Sequence, residues 1–102
     1  MSMKTLLRIS EKQFMAQVVQ LARLCRWKVY HTHDSRRSAA GFPDLVCVRG
    51  EVVIFAELKV GKNDPTTEQK DWLTALDRAG QRVYLWRPEN WKEIEAVLTG
   101  EL

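Results

Sequence analysis

Asp44, Glu57 and Lys59 are the residues of this chain whose types and spacing could perform chemistry together. Side chains on a strand alternate faces, so Glu57 and Lys59 point the same way at the end of the run Val52 to Lys59, above Val53 and Phe55, while Ile54, Ala56 and Leu58 point oppositely. Asp44 opens the preceding apolar run, Asp44 to Arg49, directly after Pro43, which fixes its own φ and drives Phe42 toward extended geometry. Gly50-Glu51 separates the two runs, a spacing that suits a two-residue hairpin with Gly at the position of positive φ. The start of one hairpin strand meets the end of the other, which sets Asp44 beside Glu57. Adjacent carboxylates repel, and the repulsion raises carboxylate pKa values unless a cation lies between them. A hard divalent ion meets that need, because Mg²⁺ takes carboxylates, a backbone carbonyl and several waters in octahedral geometry. Such an ion stabilises charge on a phosphodiester and acidifies a bound water, with Lys59 placed to orient that water or to stabilise developing negative charge. The alternative is a plain cross-strand ion pair, common and nearly neutral in energy. Charged groups ending an otherwise apolar strand are costly unless paired or metal-bound, which favours the metal site.

The elements that must position these residues are legible from caps and periodicity. Ser10 with Gln13 forms a capping box that starts a helix, and Phe14, Val18, Leu21, Ala22 and Cys25 make one stripe that predicts its end near Arg26. Trp27 to His31 is aromatic and β-branched and reads as a strand; Thr32 to Gly41 reads as a loop. Thr66 with Gln69 forms a second capping box ahead of Trp72, Leu73, Leu76 and Ala79, and Gly80 ends that helix in the left-handed position. Arg82 to Arg87 reads as a fourth strand stopped by Pro88, and Asn90 with Glu93 is expected to cap a last helix through Trp91, Ile94, Val97 and Leu98 to Gly100. The order αβββαβα predicts an α/β domain spanning residues 1–102, with residues 1–9 a flexible terminus. The helix before the fourth strand favours a right-handed crossover and parallel pairing with the third, hence a mixed sheet with helices on its faces.

With 102 residues, 45% of them hydrophobic, the chain has the material for one core and is not intrinsically disordered. No apolar run approaches the roughly 18 residues of a membrane span, and Leu6-Leu7 is too short for a signal-peptide core, so a soluble cytoplasmic protein is expected. The net charge of +3 conceals an asymmetry: residues 1–50 carry nine Lys or Arg against three Asp or Glu, and residues 51–102 carry seven against ten. A basic half suits a polyanion such as nucleic acid, or is simply a solvated face. His33, Ser35, Arg36, Arg37 and Ser38 precede the Pro-Asp corner, where arginines and hydroxyls could neutralise phosphate; the plain alternative is a solvated basic loop. Lys62, in the loop after Lys59, is a further basic candidate for that contact. His31 and His33 share a face if the strand continues, but lack a third soft ligand, so they read as the rim of the site. Trp72, Trp86 and Trp91 lie on core stripes, Trp27 is ambiguous, and Cys25 and Cys47 read as buried reduced thiols.

Gly41-Phe42-Pro43-Asp44 followed thirteen residues on by Glu57-Leu58-Lys59 resembles the PD-(D/E)xK nuclease signature. The layout from about Glu11 to Leu98 resembles the VRR-NUC domain of that superfamily, including His33-Asp34-Ser35-Arg36-Arg37-Ser38, the Ala56-Glu57-Leu58-Lys59 strand end and the Thr67-Glu68-Gln69 helix start. The resemblance implies a restriction-endonuclease-like core. It further implies Asp44, Glu57 and the Leu58 carbonyl as ligands of Mg²⁺ or Mn²⁺, Lys59 as the catalytic lysine, Glu11 as the acid that completes the metal site, and Gln69 as the glutamine after the catalytic strand. Glu11 also suits the positive end of a helix dipole, and Gln69 already serves its capping box. Small stand-alone, phage-type members resemble junction resolvases, which implies a homodimeric endonuclease acting on four-way DNA junctions in the cytoplasm of a bacterial or phage-infected cell. The rival readings are a non-catalytic DNA-binding module and a nuclease of flaps or duplexes without junction preference.

Overall fold

A computed structural model of the chain describes residues 9–33 and 39–100. Helix α1 (Glu11–Leu24) begins at the expected capping box, in which Ser10 Oγ accepts from the Gln13 N–H at 3.0 Å and Gln13 Oε1 accepts from the Ser10 N–H at 2.8 Å. It ends two residues before Arg26, because Arg26 takes a left-handed conformation with φ 70° and the Trp27 N–H turns back to the Ala22 carbonyl at 3.0 Å. That turn delivers Trp27 into the core rather than into a strand. Its indole Nε1–H donates to the Leu98 carbonyl at 2.8 Å, and the Arg49 guanidinium lies 4.5 Å from its ring centre.

The sheet has the order β1-β2-β3-β4, with β1 (Lys28–His31), β2 (Leu45–Arg49), β3 (Val52–Leu58) and β4 (Arg82–Trp86). β1 and β3 flank β2 antiparallel, and β4 pairs parallel to β3 as the intervening helix requires. Gly50, at φ 59°, closes the hairpin and pairs Arg49 with Val52 and Leu45 with Ala56. The strands stop a residue or so short of their predicted bounds, but the Lys59 N–H still donates to the Trp86 carbonyl at 3.0 Å, so the ladder extends past Leu58. Leu45, Cys47, Ile54, Ala56, Leu58 and Trp86 face the core with Phe14, Val18 and Ala22 of α1. Each large apolar side chain so buried contributes about 1.5–3 kcal/mol. Helix α2 (Thr67–Arg78) has no fully buried residue and joins the opposite face through Trp72, whose ring meets Phe42 edge-on at 5.1 Å; Phe42 in turn meets Phe55 at 6.1 Å.

Helix α3 (Trp91–Thr99) is entered differently from the expectation. Pro88 opens a 3₁₀ turn (Pro88–Asn90), and the Asn90 side chain makes no cap to α3; its Oδ1 accepts from the Arg87 N–H at 2.8 Å. Pro88 lacks an N–H and has a preset φ, so the chain is already turning before α3 starts. Gly80 and Gly100 end α2 and α3 in left-handed conformations as expected, at φ 83° and 85°. Cys47 is buried and its thiol is pushed up to about 11 by that burial, whereas Cys25 is only half-buried. The expectation of a flexible terminus concerns residues 1–8, which lie outside the described residues, and Ile9, which packs half-buried against the core. Among the described residues no helix is long and apolar enough to cross a membrane.

Candidate active site

Asp44 and Glu57 meet at one end of the hairpin, as the register demands. The Asp44 N–H donates to Glu57 Oε1 at 3.2 Å, and the Leu58 N–H donates to Asp44 Oδ2 at 2.9 Å, so each carboxylate is fastened to the other strand's backbone. Lys59 Nζ lies 3.1 Å from Glu57 Oε2. Glu57 is only 1% exposed, and Oε2 has no hydrogen bond of good geometry; the ammonium is its sole compensation among the described residues. Burial pushes the Glu57 carboxyl up to about 7, Asp44 adds to the rise, and Lys59 opposes it. The ion pair and the carboxylate pair are therefore both present, with the lysine against Glu57 Oε2.

Neighbouring elements hold this corner. Gly41 has φ 94°, and a Cβ there would lie 2.5 Å from the Glu68 carbonyl carbon, so the corner presses against the first turn of α2. The Thr32 N–H donates to the Asp44 carbonyl at 2.8 Å, and Thr32 Oγ1 donates to the Pro43 carbonyl at 2.7 Å, tying the end of β1 to the same point. After Lys59, the Arg87 guanidinium donates to the Gly61 carbonyl at 3.1 Å and to Asp64 Oδ1 at 3.2 Å, which anchors the following turn to the end of β4.

An open cleft of about 1030 Å³ lies over the corner. Of the residues proposed from the sequence, it brings together Glu11, His33, Asp44, Lys59 and Gln69, while Glu57 sits beneath Lys59. His31 also lines it, with its ring 4.9 Å from that of His33. Gln69 Oε1 accepts from the Thr66 N–H at 2.8 Å, so its capping role is realised at the rim of the cleft. Lys62 is exposed in the turn and does not line the cleft, and the Leu58 side chain is buried in the core. Ser35, Arg36, Arg37 and Ser38 lie outside the described residues. Among the described residues no three His, Cys, Asp or Glu side chains cluster to hold a metal, so Glu11 shares the cleft without joining Asp44 and Glu57 as a third ligand. The donors that do meet are hard carboxylate oxygens, one of them buried without a hydrogen bond; that set fits Mg²⁺ or Mn²⁺. Sequence reading missed Tyr30, Phe42 and Trp72 as cleft residues, because chain order gives no local sign of which aromatic side chains border a site.

No family model and no curated protein matches the chain. Among solved structures, one described as "VRR_NUC domain protein" superposes with a TM-score of 0.66 at 20% identity, covering 88% of this chain and 90% of that one. The chain therefore has a restriction-endonuclease-like α/β fold, in the form seen in that VRR-NUC domain.

Proposed function

We propose that the chain is a metal-dependent endodeoxyribonuclease of the VRR-NUC branch of the PD-(D/E)xK superfamily, with Asp44, Glu57 and Lys59 at its catalytic centre. The observation that carries this reading is the pair of cross-fastened carboxylates under an open cleft, with a lysine 3.1 Å from the buried Glu57 Oε2. The shared fold is consistent with it. A divalent ion, when bound, supplies charge neutralisation at the scissile phosphate and a more acidic water. Asp44 and Glu57 are the side chains to hold it, with the Leu58 carbonyl as a further oxygen donor, while Glu11 lies in the same cleft without joining them. Ionised Glu57 is needed for that role, and once freed from Glu57 Oε2 the Lys59 ammonium is the group at hand to orient the attacking water or to steady the developing phosphorane charge. Gln69 borders the same space. His33, Ser35, Arg36, Arg37, Ser38 and Lys62 are the candidates for phosphate contacts, which position a DNA backbone without reading its sequence.

The favoured substrate is branched DNA, with four-way junctions first, cut by a homodimer. Among the described residues one chain holds one such centre, and symmetric cutting of two strands requires two. Calorimetry with Mn²⁺ tests the centre: wild type binds, and Asp44→Asn abolishes or greatly weakens binding, whereas unchanged affinity removes Asp44 from the ligand set. Cleavage of four-way, flap and linear DNA side by side tests the substrate, and equal rates on all three would refute junction preference. Light scattering near 12 kDa instead of twice that mass would refute the dimer. The non-catalytic reading draws on the lack of a three-ligand cluster among the described residues, and it predicts DNA binding without cleavage.

A further inference from the structure

We propose that Tyr30 is a stacking platform for an unpaired base, and that it gives the site its preference for branched over continuous DNA; this rests on the nuclease reading above. Tyr30 leaves 63% of its surface in water although it sits within a strand, and among the described residues its ring has no aromatic or hydrogen-bonding partner. Phe42 and Trp72, which border the same cleft, already pack edge-on against each other. Among the described residues Tyr30 is thus the large ring at the cleft that is free to take a flat ligand.

The placement is rigid. Among the described residues β1 is an edge strand that pairs with β2 alone, setting Tyr30 opposite Val46. Two residues on, Thr32 bonds to the carbonyls of Pro43 and Asp44, so the strand that carries Tyr30 is tied to the backbone of a candidate ligand. A cleft of about 1030 Å³ leaves room for a nucleotide to swing in. In continuous duplex both faces of each base are already stacked, so an aromatic side chain gains only where a base is unpaired, as at a flap or at a branch point whose pairs have opened. A phenol ring with few rotatable bonds suits this use, since little side-chain freedom is lost on stacking.

The test is fluorescence anisotropy with the full chain in EDTA, so that binding is read apart from cleavage. A 5′-flap and a duplex of the same sequence are compared, with 2-aminopurine at the first unpaired position. Wild type is expected to prefer the flap and to quench the 2-aminopurine. Tyr30→Ala should lower the flap-to-duplex affinity ratio roughly 5- to 100-fold and relieve the quenching, and Tyr30→Trp should restore both. An unchanged ratio in Tyr30→Ala, with wild type still binding DNA, overturns the stacking role while leaving the nuclease reading intact. Equal loss on both DNAs together with a halved mass in light scattering also overturns it, because the ring then covers a second copy of the chain. A wild-type chain that binds neither DNA overturns the nuclease reading and this inference together.

Discussion

Replacing Glu57 by glutamine should stabilise the metal-free protein at alkaline pH while removing its capacity to hold a metal. Burial, with Asp44 adding to it and Lys59 opposing it, carries the Glu57 carboxyl from an ordinary 4.5 to about 7. The folded value lies above the unfolded one, so the protonated acid favours the fold. That stability is fully present below about pH 4.5, is lost as pH rises through about 7, and stays lost beyond it. At 1.36 kcal/mol per pH unit the ionised group costs the fold about 3 kcal/mol above pH 7, and between pH 5 and pH 8 the change is about 2–3 kcal/mol. Glutamine keeps an oxygen to accept from the Asp44 N–H, and the Lys59 ion pair that it gives up is already counted in the value of about 7. Glu57→Gln should therefore be more stable than wild type by about 3 kcal/mol at pH 8 and by no more than about 1 kcal/mol at pH 5. Urea unfolding in EDTA, followed by fluorescence of the four tryptophans, reads both values. A stability difference that is the same at the two pH values would refute the reasoning, because it would mean that the buried carboxylate carries no penalty to relieve.

Gly41→Ala should destabilise the fold by at least about 2 kcal/mol, because φ 94° is strained for alanine and its Cβ would meet the Glu68 carbonyl carbon at 2.5 Å. A melting temperature within a degree or two of wild type would contradict that close approach. Mn²⁺ affinity should fall as pH drops below about 7, by up to roughly tenfold per pH unit, since a proton then competes for Glu57. Calorimetry at pH 6 and pH 8 measures it, and a flat profile would take Glu57 out of the ligand set.

The hairpin was legible because three independent signals coincide on it. Gly50-Glu51 supplies the turn, the apolar residues of Val52 to Leu58 alternate toward the core, and Pro43 marks where the partner strand begins. From that register alone Asp44 must fall beside Glu57. The capping boxes at Ser10 and Thr66 were equally readable, since each lies within four residues. What escaped reading depends on contacts between distant segments. Asn90 has a cap residue's chemistry, yet Pro88 had already committed the chain to a 3₁₀ turn, and the amide bonds backwards to Arg87. Trp27 looked like a strand residue until Leu98 and Arg49, both far along the chain, drew it into the core. The near-complete burial of Glu57 and its capping by Lys59 follow from packing, and the pressure of α2 on Gly41 has no local sequence sign. Lys62 is basic and near Lys59 in sequence, but the turn anchored by Arg87 leaves it outside the cleft.

Gel cleavage of a labelled four-way junction by wild type and Lys59→Ala, each with Mg²⁺, Mn²⁺ or EDTA, tests the central claim most directly. Wild type should cut with either ion and not in EDTA, and Lys59→Ala should bind the junction but cut it roughly 10²- to 10³-fold more slowly. Junction DNA left equally intact by both proteins, while both still bind it, would contradict a nuclease built on Asp44, Glu57 and Lys59.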